Sequence, residues 1–293
     1  MDGIINVYKE KGFTSHDVVA KLRGILHMKK IGHTGTLDPD ATGVLPVALG
    51  KGTKLVDLLT DKEKTYEAVL HLGIDTDTQD MSGTVLEEKP VNVTEEEVRK
   101  VLKSFVGEQL QVPPMYSALK VNGKKLYELA REGKTVERKA RPVCFYEIEP
   151  LEFHLPLVKI RVTCSKGTYI RTLCHDIGEK LGCGGCMEEL LRSRVGRYSL
   201  SESHTLAQVE AAVADGTVQD MIDPVEKVLA DYPALYADSY GDRLLANGNP
   251  LSDNLVRPQH KEGWVRMYAS DGTFTGIFQW DAGKKKYYPV KMF

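Results

Sequence analysis

The chain reads as an α+β protein in two parts, and three stretches carry that reading. Val158, Ile160, Val162 and Cys164 alternate as the inward side of a strand that turns at Lys166-Gly167-Thr168 into a helix, on which Ile170, Leu173, Ile177 and Leu181 share a face. Thr94 and Glu97 form the capping box of another helix, whose apolar positions are Val98, Val101, Leu102, Phe105 and Val106 and which Gly107 closes. Beyond Asp231-Tyr232-Pro233, which reads as a linker, the helices give way to short strands at 265–268, 274–280 and 287–292. Asp271-Gly272 and Asp281-Ala282-Gly283 turns separate them, the pattern of a small β-barrel. We therefore expect an α+β body over 1–232 and a β-barrel over 233–293.

The remaining elements follow in order. Ile4, Ile5 and Val7 make a short strand, and Thr14-Ser15 caps a helix carrying Val18, Val19, Leu22, Ile25 and Leu26. Lys21, Arg23, Lys29 and Lys30 lie on its outer side; a solvated face explains them, and so does phosphate contact. Residues 44–49 and 55–59 are apolar and belong to the core, and 65–72 alternate with Tyr66, Ala68, Leu70 and Leu72 on one face. Asp75-Thr76-Asp77-Thr78-Gln79-Asp80 reads as an acidic turn. It lacks the glycine and distal glutamate of a calcium loop, so no metal is expected there. From Val112-Pro113-Pro114 onward a segment with an Asn122-Gly123 turn interleaves Lys120, Lys124, Lys125 and Arg131 with Met115, Tyr116 and Tyr127. Such a mixture offers stacking and charge to RNA, and a core-forming hairpin and helix would look similar. Cys183-Gly184-Gly185-Cys186 reads as a plain loop, since no second C-x-x-C or paired His accompanies it. Thr205 and Gln208 cap a last helix through Leu206, Val209, Ala212 and Val213 to Gly216.

Composition narrows the function classes. A formal net charge of −2 over 293 residues argues against a protein that coats nucleic acid indiscriminately. The charge is segregated, acidic over 61–100 and basic over 113–141, which suits a polyanion engaged along one face. The start carries Asp2, Lys9, Glu10 and Lys11 without a sustained apolar core, and no run approaches a membrane span, so neither a secretory leader nor a membrane partner is expected. An odd five cysteines fit reduced thiols in the cytoplasm. Gly50-Lys51-Gly52-Thr53 lacks the spacing of a phosphate-binding loop, so nucleotide-triphosphate chemistry is not expected.

The stretch from Gly32 to Pro46 stands apart: Gly32-His33-Thr34-Gly35-Thr36-Leu37-Asp38-Pro39-Asp40-Ala41-Thr42-Gly43-Val44-Leu45-Pro46. Pro39 pushes Asp38 to an extended backbone, while Gly32, Gly35 and Gly43 can supply positive-φ turns or close approach. The product is a stiff loop with one carboxylate at a fixed place, or, more plainly, a solvated Asp-Pro turn. The run resembles the G-H-T-G-x-L-D-P-x-A-T-G-x-L-P catalytic motif of the TruB family of tRNA pseudouridine synthases. Pro113 to Lys120, Gly123 to Gly133 and Ser165-Lys166-Gly167-Thr168-Tyr169-Ile170-Arg171 are similar to that family's patterns too, and the tail opening at Arg243-Leu244-Leu245-Ala246-Asn247-Gly248-Asn249-Pro250 resembles its PUA module. Cys186 is a departure, since the family usually has another residue there.

The resemblance implies a pseudouridine synthase domain with a mixed, mainly antiparallel sheet, a thumb insertion at about 112–141, and a PUA-like RNA-binding tail. It implies the T arm of tRNA as substrate: uracil of uridine 55 is detached from ribose C1′, turned and rejoined through C5, with no cofactor, no metal and no required protein partner, by a monomer. Asp38 would be the essential carboxylate and Arg171 its partner. Tyr66, at the family's K-x-Y strand position, would pack against the flipped base and take the C5 proton. Tyr169 would shape the pocket, His33 would fill the space the base leaves, and Gly32, Thr34, Lys120, Lys124 and Lys125 would meet the RNA. Lys284, Lys285 and Lys286 ahead of Tyr287 and Tyr288 would suit the RNA backbone or solubilise a turn. An arginine within roughly 4 to 6 Å of Asp38 should lower its pKa by about one to three units. Two other classes remain: a hydrolase of the N-glycosidic bond with Asp40 as second carboxylate, and a non-catalytic RNA-binding protein, which would have no use for the trio Asp38, Tyr66 and Arg171.

Overall fold

The structure is a computed structural model and describes residues 1–121 and 123–293, so the expected Asn122-Gly123 turn involves a residue outside the described ones. The chain enters through β1 (Gly3–Lys9), α1 (Ser15–Ile25), β2 (Ile31–His33), β3 (Thr42–Leu49), the short α2 (Val56–Thr60) and β4 (Lys64–Leu72). A hairpin of β5 (Ile74–Thr76) and β6 (Val85–Glu88) precedes α3 (Glu95–Phe105) and β7 (Gly107–Gln111). β8 (Lys120–Val121), β9 (Lys124–Lys125) and α4 (Leu126–Arg131) follow, then β10 (Arg141–His154), β11 (Leu157–Cys164), α5 (Ile170–Leu181), β12 (Gly185–Val195) and β13 (Tyr198–Ser199). After α6 (Leu206–Ala214), β14 (Ile222–Pro224) and α7 (Val225–Val228) the tail comprises β15 (Ala234–Ala237), α8 (Ser239–Ala246), β16 (Leu251–Ser252), β17 (Val256–Arg257), β18 (Trp264–Tyr268), β19 (Phe274–Asp281) and β20 (Lys286–Met292).

Among the described residues the largest sheet has ten strands, ordered β14-β1-β3-β12-β4-β11-β10-β7 with β2 on β3 and β13 on β12. Its pairings are antiparallel except that of β12 with β3, so the expected mixed, mainly antiparallel α+β sheet is present. The alternation in β4 and β11 does what it predicts: Tyr66, Ala68, Leu70, Val158, Ile160 and Val162 point to one side and bury against Leu173 and Ile177 of α5 and Val98 and Leu102 of α3. Each such aliphatic side chain contributes roughly 1.5–3 kcal/mol relative to leaving it in water. Ile5, Val7, Leu45 and Val47 of β1 and β3 bury against α1 and α6. The capping box read at Thr94 forms, and the caps read at Thr14 and Thr205 are capping boxes too, with Asp17 as the partner of Thr14 and Gln208 as that of Thr205.

Two long strands were hidden in the sequence. β12 runs through the middle of the sheet and β10 near its edge, yet both carry bulges, between Met187 and Glu189 and between Arg192 and Arg194 in β12, and between Phe145 and Glu147 and between Pro150 and Glu152 in β10. Each bulge shifts the period-2 pattern by one residue, which removes the alternation a sequence reader relies on. Cys186 accordingly lies in β12, not in a loop, while Cys183 and Gly184 precede it.

The tail forms a six-stranded sheet, β16-β20-β19-β18-β15-β17, a nearly closed small barrel around Leu235, Val265, Met267, Phe278 and Tyr287. It is no loosely tethered unit, since Ile277 with Trp264, Phe274 and Phe293 packs on Ile4, Val44, Val225 and Leu229 of the body. Tyr232, read as part of a linker, is wedged into this contact 5.8 Å from the Trp264 ring. Deleting residues 233–293 would therefore strip the cover from Ile4 and Val44. The expected outcome is a lower unfolding temperature in calorimetry together with any loss of RNA affinity, and a truncated chain that melts like the full one would contradict that.

Candidate active site

Residues 34–41 join β2 to β3 and are held from several sides. The Thr34 hydroxyl donates to the Pro46 carbonyl at 3.1 Å, and the Leu37 amide donates to Ser15 Oγ at 2.9 Å. Lys9 Nζ, fully buried at the end of β1, donates to the Pro39 carbonyl at 3.0 Å. From below, Arg192 donates to the carbonyls of Val44 at 2.8 Å, Thr36 at 3.3 Å and Gly35 at 3.4 Å. With Leu37 and Ala41 sunk into the core on either side, Asp38 is presented at a fixed place.

The facing group comes from the start of α5. Gly167 adopts φ +77° to turn the chain out of β11, and Gln111 grips the backbone of Tyr169 in both directions, accepting from its N–H at 2.8 Å and donating to its carbonyl at 3.0 Å. Arg171, only 5% exposed, is thereby aimed at the loop. Its Nε lies 3.2 Å from Asp38 Oδ2 and its Nη1 lies 3.3 Å from Asp80 Oδ2. The same guanidinium donates to the Thr78 carbonyl at 3.1 Å and to the Tyr116 carbonyl at 2.9 Å. One side chain thus ties together the Asp38 loop, the acidic turn and the base of the segment at 112–141.

The electrostatics overturn one expectation. Arg171 does pull the Asp38 carboxyl down, but burial pushes it up more strongly, Asp80 adds to the rise, and the net direction is above the ordinary carboxylate value. The side chain nonetheless keeps 43% of its surface open to solvent, so the carboxylate is both crowded by its neighbours and reachable from outside. Burial also lowers Lys9 and Lys64, each to about 8, against the pull of nearby acids, and raises the phenols of Tyr66 and Tyr169.

Of the other expected site residues, Tyr66 and Tyr169 lie around the Asp38–Arg171 pair, each within the field of Asp38. His33 is half-buried, edge-on to His16 at 5.2 Å, and accepts a long hydrogen bond from the Gly35 amide at Nδ1; burial lowers its pKa. Thr34 is 1% exposed with its hydroxyl committed to Pro46, so it supports the loop and does not face a ligand. Gly32 pairs with Ala48 inside β2 and has no positive φ; the glycines that the backbone requires are Gly35, at φ +152°, and Gly43, where a Cβ would stand 2.2 Å from the Arg192 carbonyl. Gly43 to Pro46, read as loop, belong to β3. Lys120, Lys124 and Lys125 sit on the small β8–β9 hairpin, Lys124 within 3.5 Å of Glu132 and Lys125 donating to the Tyr127 hydroxyl at 3.2 Å.

Sequence reasoning missed Asp80, Lys9, Arg192 and Gln111. Asp80 was visible only as one acid in a turn, and Lys9 and Arg192 as lone bases beside apolar residues. The turn's acids are occupied within the protein: Asp77 accepts from the Thr84 amide at 2.8 Å, Asp80 from the Ser82 amide at 3.0 Å, and Asp75 lies 3.2 Å from His175. All five cysteines are free, and Cys186 Sγ lies 3.4 Å from Met81 Sδ.

Comparison with known proteins decides the family. Residues 23–170 match the profile of TruB family pseudouridylate synthase (N terminal domain), and residues 171–230 that of the tRNA pseudouridylate synthase B C-terminal domain. The chain belongs to the TruB family of pseudouridylate synthases. It is 53% identical to the tRNA pseudouridine synthase B of Lachnoclostridium phytofermentans over the whole of both chains. It is 48% identical to the protein of the same name from Clostridium novyi, covering 94% of this chain and 95% of that one. Among solved structures it superposes on a chain of a Cbf5-Nop10-Gar1 complex with a TM-score of 0.75 at 29% identity, over 99% of this chain and 84% of that one. The TruB motif at 32–46 is therefore the loop that carries Asp38, and the boundary between the two matched profiles falls between Ile170 and Arg171, at the start of α5.

Proposed function

We propose that this chain isomerises uridine 55 in the T loop of tRNA to pseudouridine, acting in the cytoplasm as a monomer with no required protein partner and with Asp38 as the essential carboxylate. The observation that carries this reading is the Asp38–Arg171 contact of 3.2 Å, with the buried Tyr66 and the half-buried Tyr169 close enough to feel the Asp38 charge. Breaking the N-glycosidic bond without water calls for an anion, whether it attacks the sugar, attacks the base or removes a sugar proton. Asp38 supplies the anion, and the guanidinium favours its charged form, offsetting part of the burial that opposes ionisation. Asp38 titrates above the ordinary carboxylate value, so the acid side of the rate profile lies above that value too, and turnover rises with pH as Asp38 ionises.

The target base leaves its stack at a cost of a few kcal/mol, and His33, neutral and half-buried at the loop's entrance, suits the gap it vacates. Once the base has turned and bonded through C5, the proton there passes to Tyr66. The segment at 112–141 and the tail at 233–293 supply the basic and aromatic surface for the tRNA arm; Lys284 lies 4.9 Å over the Tyr288 ring and Lys261 lies 4.8 Å over that of Trp280. Asp40, the second carboxylate a hydrolase would need, is exposed and lines a shallow cleft with Lys11, Thr42 and Glu67.

Incubation with an unmodified tRNA transcript, followed by nucleoside digestion and mass spectrometry of fragments, tests the reading. A carbon-linked nucleoside at position 55 with no change in RNA mass is expected; modification confined to another position, or none, would overturn it.

A further inference from the structure

Arg192 is among the largest fully buried side chains, at 1% exposure, and stands in β12 in the middle of the main sheet. Its partners are all uncharged groups. They are the carbonyls of Val44, Thr36 and Gly35. A buried arginine is ordinarily matched by a carboxylate, because a lone charge taken out of water is costly. Here the strand ladder explains the placement: Arg192 is directly opposite Tyr66 on β4 and beside Gly43 on β3, the glycine whose missing side chain lets the two strands close up.

We propose that Arg192 is a positioning residue of the isomerisation, holding the Asp38 loop by the Gly35 and Thr36 carbonyls and the Tyr66 phenol oxygen from the facing strand. A guanidinium carries five N–H donors and no acceptor, so toward the phenol of the residue opposite it Arg192 acts only as donor and positive charge. The inference rests on the reading of Tyr66 given above. In that reading the C5–H bond breaks, its electron pair restores the C5–C6 double bond as the C6–N1 pair moves to N1, the C5 proton is taken at the Tyr66 oxygen, whose own proton leaves to solvent, and N1 takes a proton from solvent. The charged and titratable groups facing Tyr66 are Arg192 from β12, Cys164 from β11 and Asp38 from the loop. Burial pushes the Cys164 thiol up to about 12, so it is neutral, and Asp38 disfavours a phenolate. Arg192 is the cation that opposes burial at this oxygen.

Arg192→Lys, Arg192→Gln and Tyr66→Phe test the assignment in single turnover against a tRNA transcript from about pH 6 to about pH 10, with near-UV circular dichroism for folding and filter retention for tRNA binding. Tyrosine labelled with 13C at Cζ reports the Tyr66 titration, assigned by its absence in Tyr66→Phe. Arg192→Lys is expected to fold, to bind tRNA within about threefold of the parent, and to turn over at least about tenfold more slowly, with Tyr66 ionising at higher pH. Arg192→Gln should show the larger loss of rate; should it fail to fold, Arg192→Lys, which keeps the charge, decides. Folded variants with parental rates, or with an unshifted Tyr66 titration, overturn the proposal. Parental turnover in Tyr66→Phe would instead remove Tyr66 from the chemistry, and the rate of Arg192→Lys would then judge the loop-holding half alone.

Discussion

Asp38→Asn is expected to reduce turnover by roughly 10⁴-fold or more while tRNA affinity stays within about threefold. The amide keeps the shape beside Arg171 Nε but removes the anion that the proposed chemistry needs. Affinity survives because phosphate contacts, made elsewhere, supply most of it. The same substitution should leave stability within about 1 kcal/mol of the parent, since Arg171 keeps Asp80, Thr78 and Tyr116. The pH dependence has a definite sign. With its folded-state value raised, Asp38 binds its proton more tightly folded than unfolded, so it withdraws stability as pH rises from the unfolded value through the folded one. Asp38→Asn lacks that withdrawal, and denaturant titrations should show the variant gaining on the parent across that interval.

Arg171→Met is expected to destabilise the fold by about 3–5 kcal/mol and to reduce turnover by at least about 10²-fold. The guanidinium is 5% exposed and answers Asp38 and Asp80 together, so its removal leaves two facing carboxylates with no cation between them. Two backbone carbonyls, of Thr78 and Tyr116, lose their donor at the same time, which frees the acidic turn and the base of the 112–141 segment from α5. Arg171 draws the Asp38 carboxyl down most strongly; without it only Lys9 opposes burial and Asp80, and the acid side of the rate profile moves to higher pH. Acid should narrow the stability gap to the parent as Asp38 protonates. Arg171→Lys restores a charge but not the fork that reaches four acceptors, so partial recovery of stability with poor recovery of rate is the expected pattern.

The sequence exposes these elements unevenly, and the reasons are physical. Strands that bury one face in strict alternation, such as β4 and β11, and helices with side-chain caps, such as α1, α3 and α6, carry their own signal and form as read. β12 does not, because its bulges break the alternation and its Met187-Glu188-Glu189-Leu190-Leu191-Arg192 run has no period of two, so tertiary pairing with β3 and β4 determines it. At the site, Asp38 and Arg171 were legible because each stands in a distinctive motif, 133 residues of chain apart yet 3.2 Å in space. Asp80, Lys9 and Arg192 were not, since what makes them matter is where the sheet brings them. The pKa expectation for Asp38 failed for a related reason: a pairwise rule can count the arginine but not the burial that outweighs it.

In the proposed reaction Asp38 drives a rearrangement in which uracil is detached, turned and recaptured without escaping. Tritium release from a tRNA transcript made with uridine tritiated at C5 tests it most directly. The account predicts about one tritium released per tRNA, from position 55 only, with no free uracil and no release by Asp38→Asn. Free uracil in step with tritium-retaining RNA, or release by Asp38→Asn at the parental rate, would contradict it.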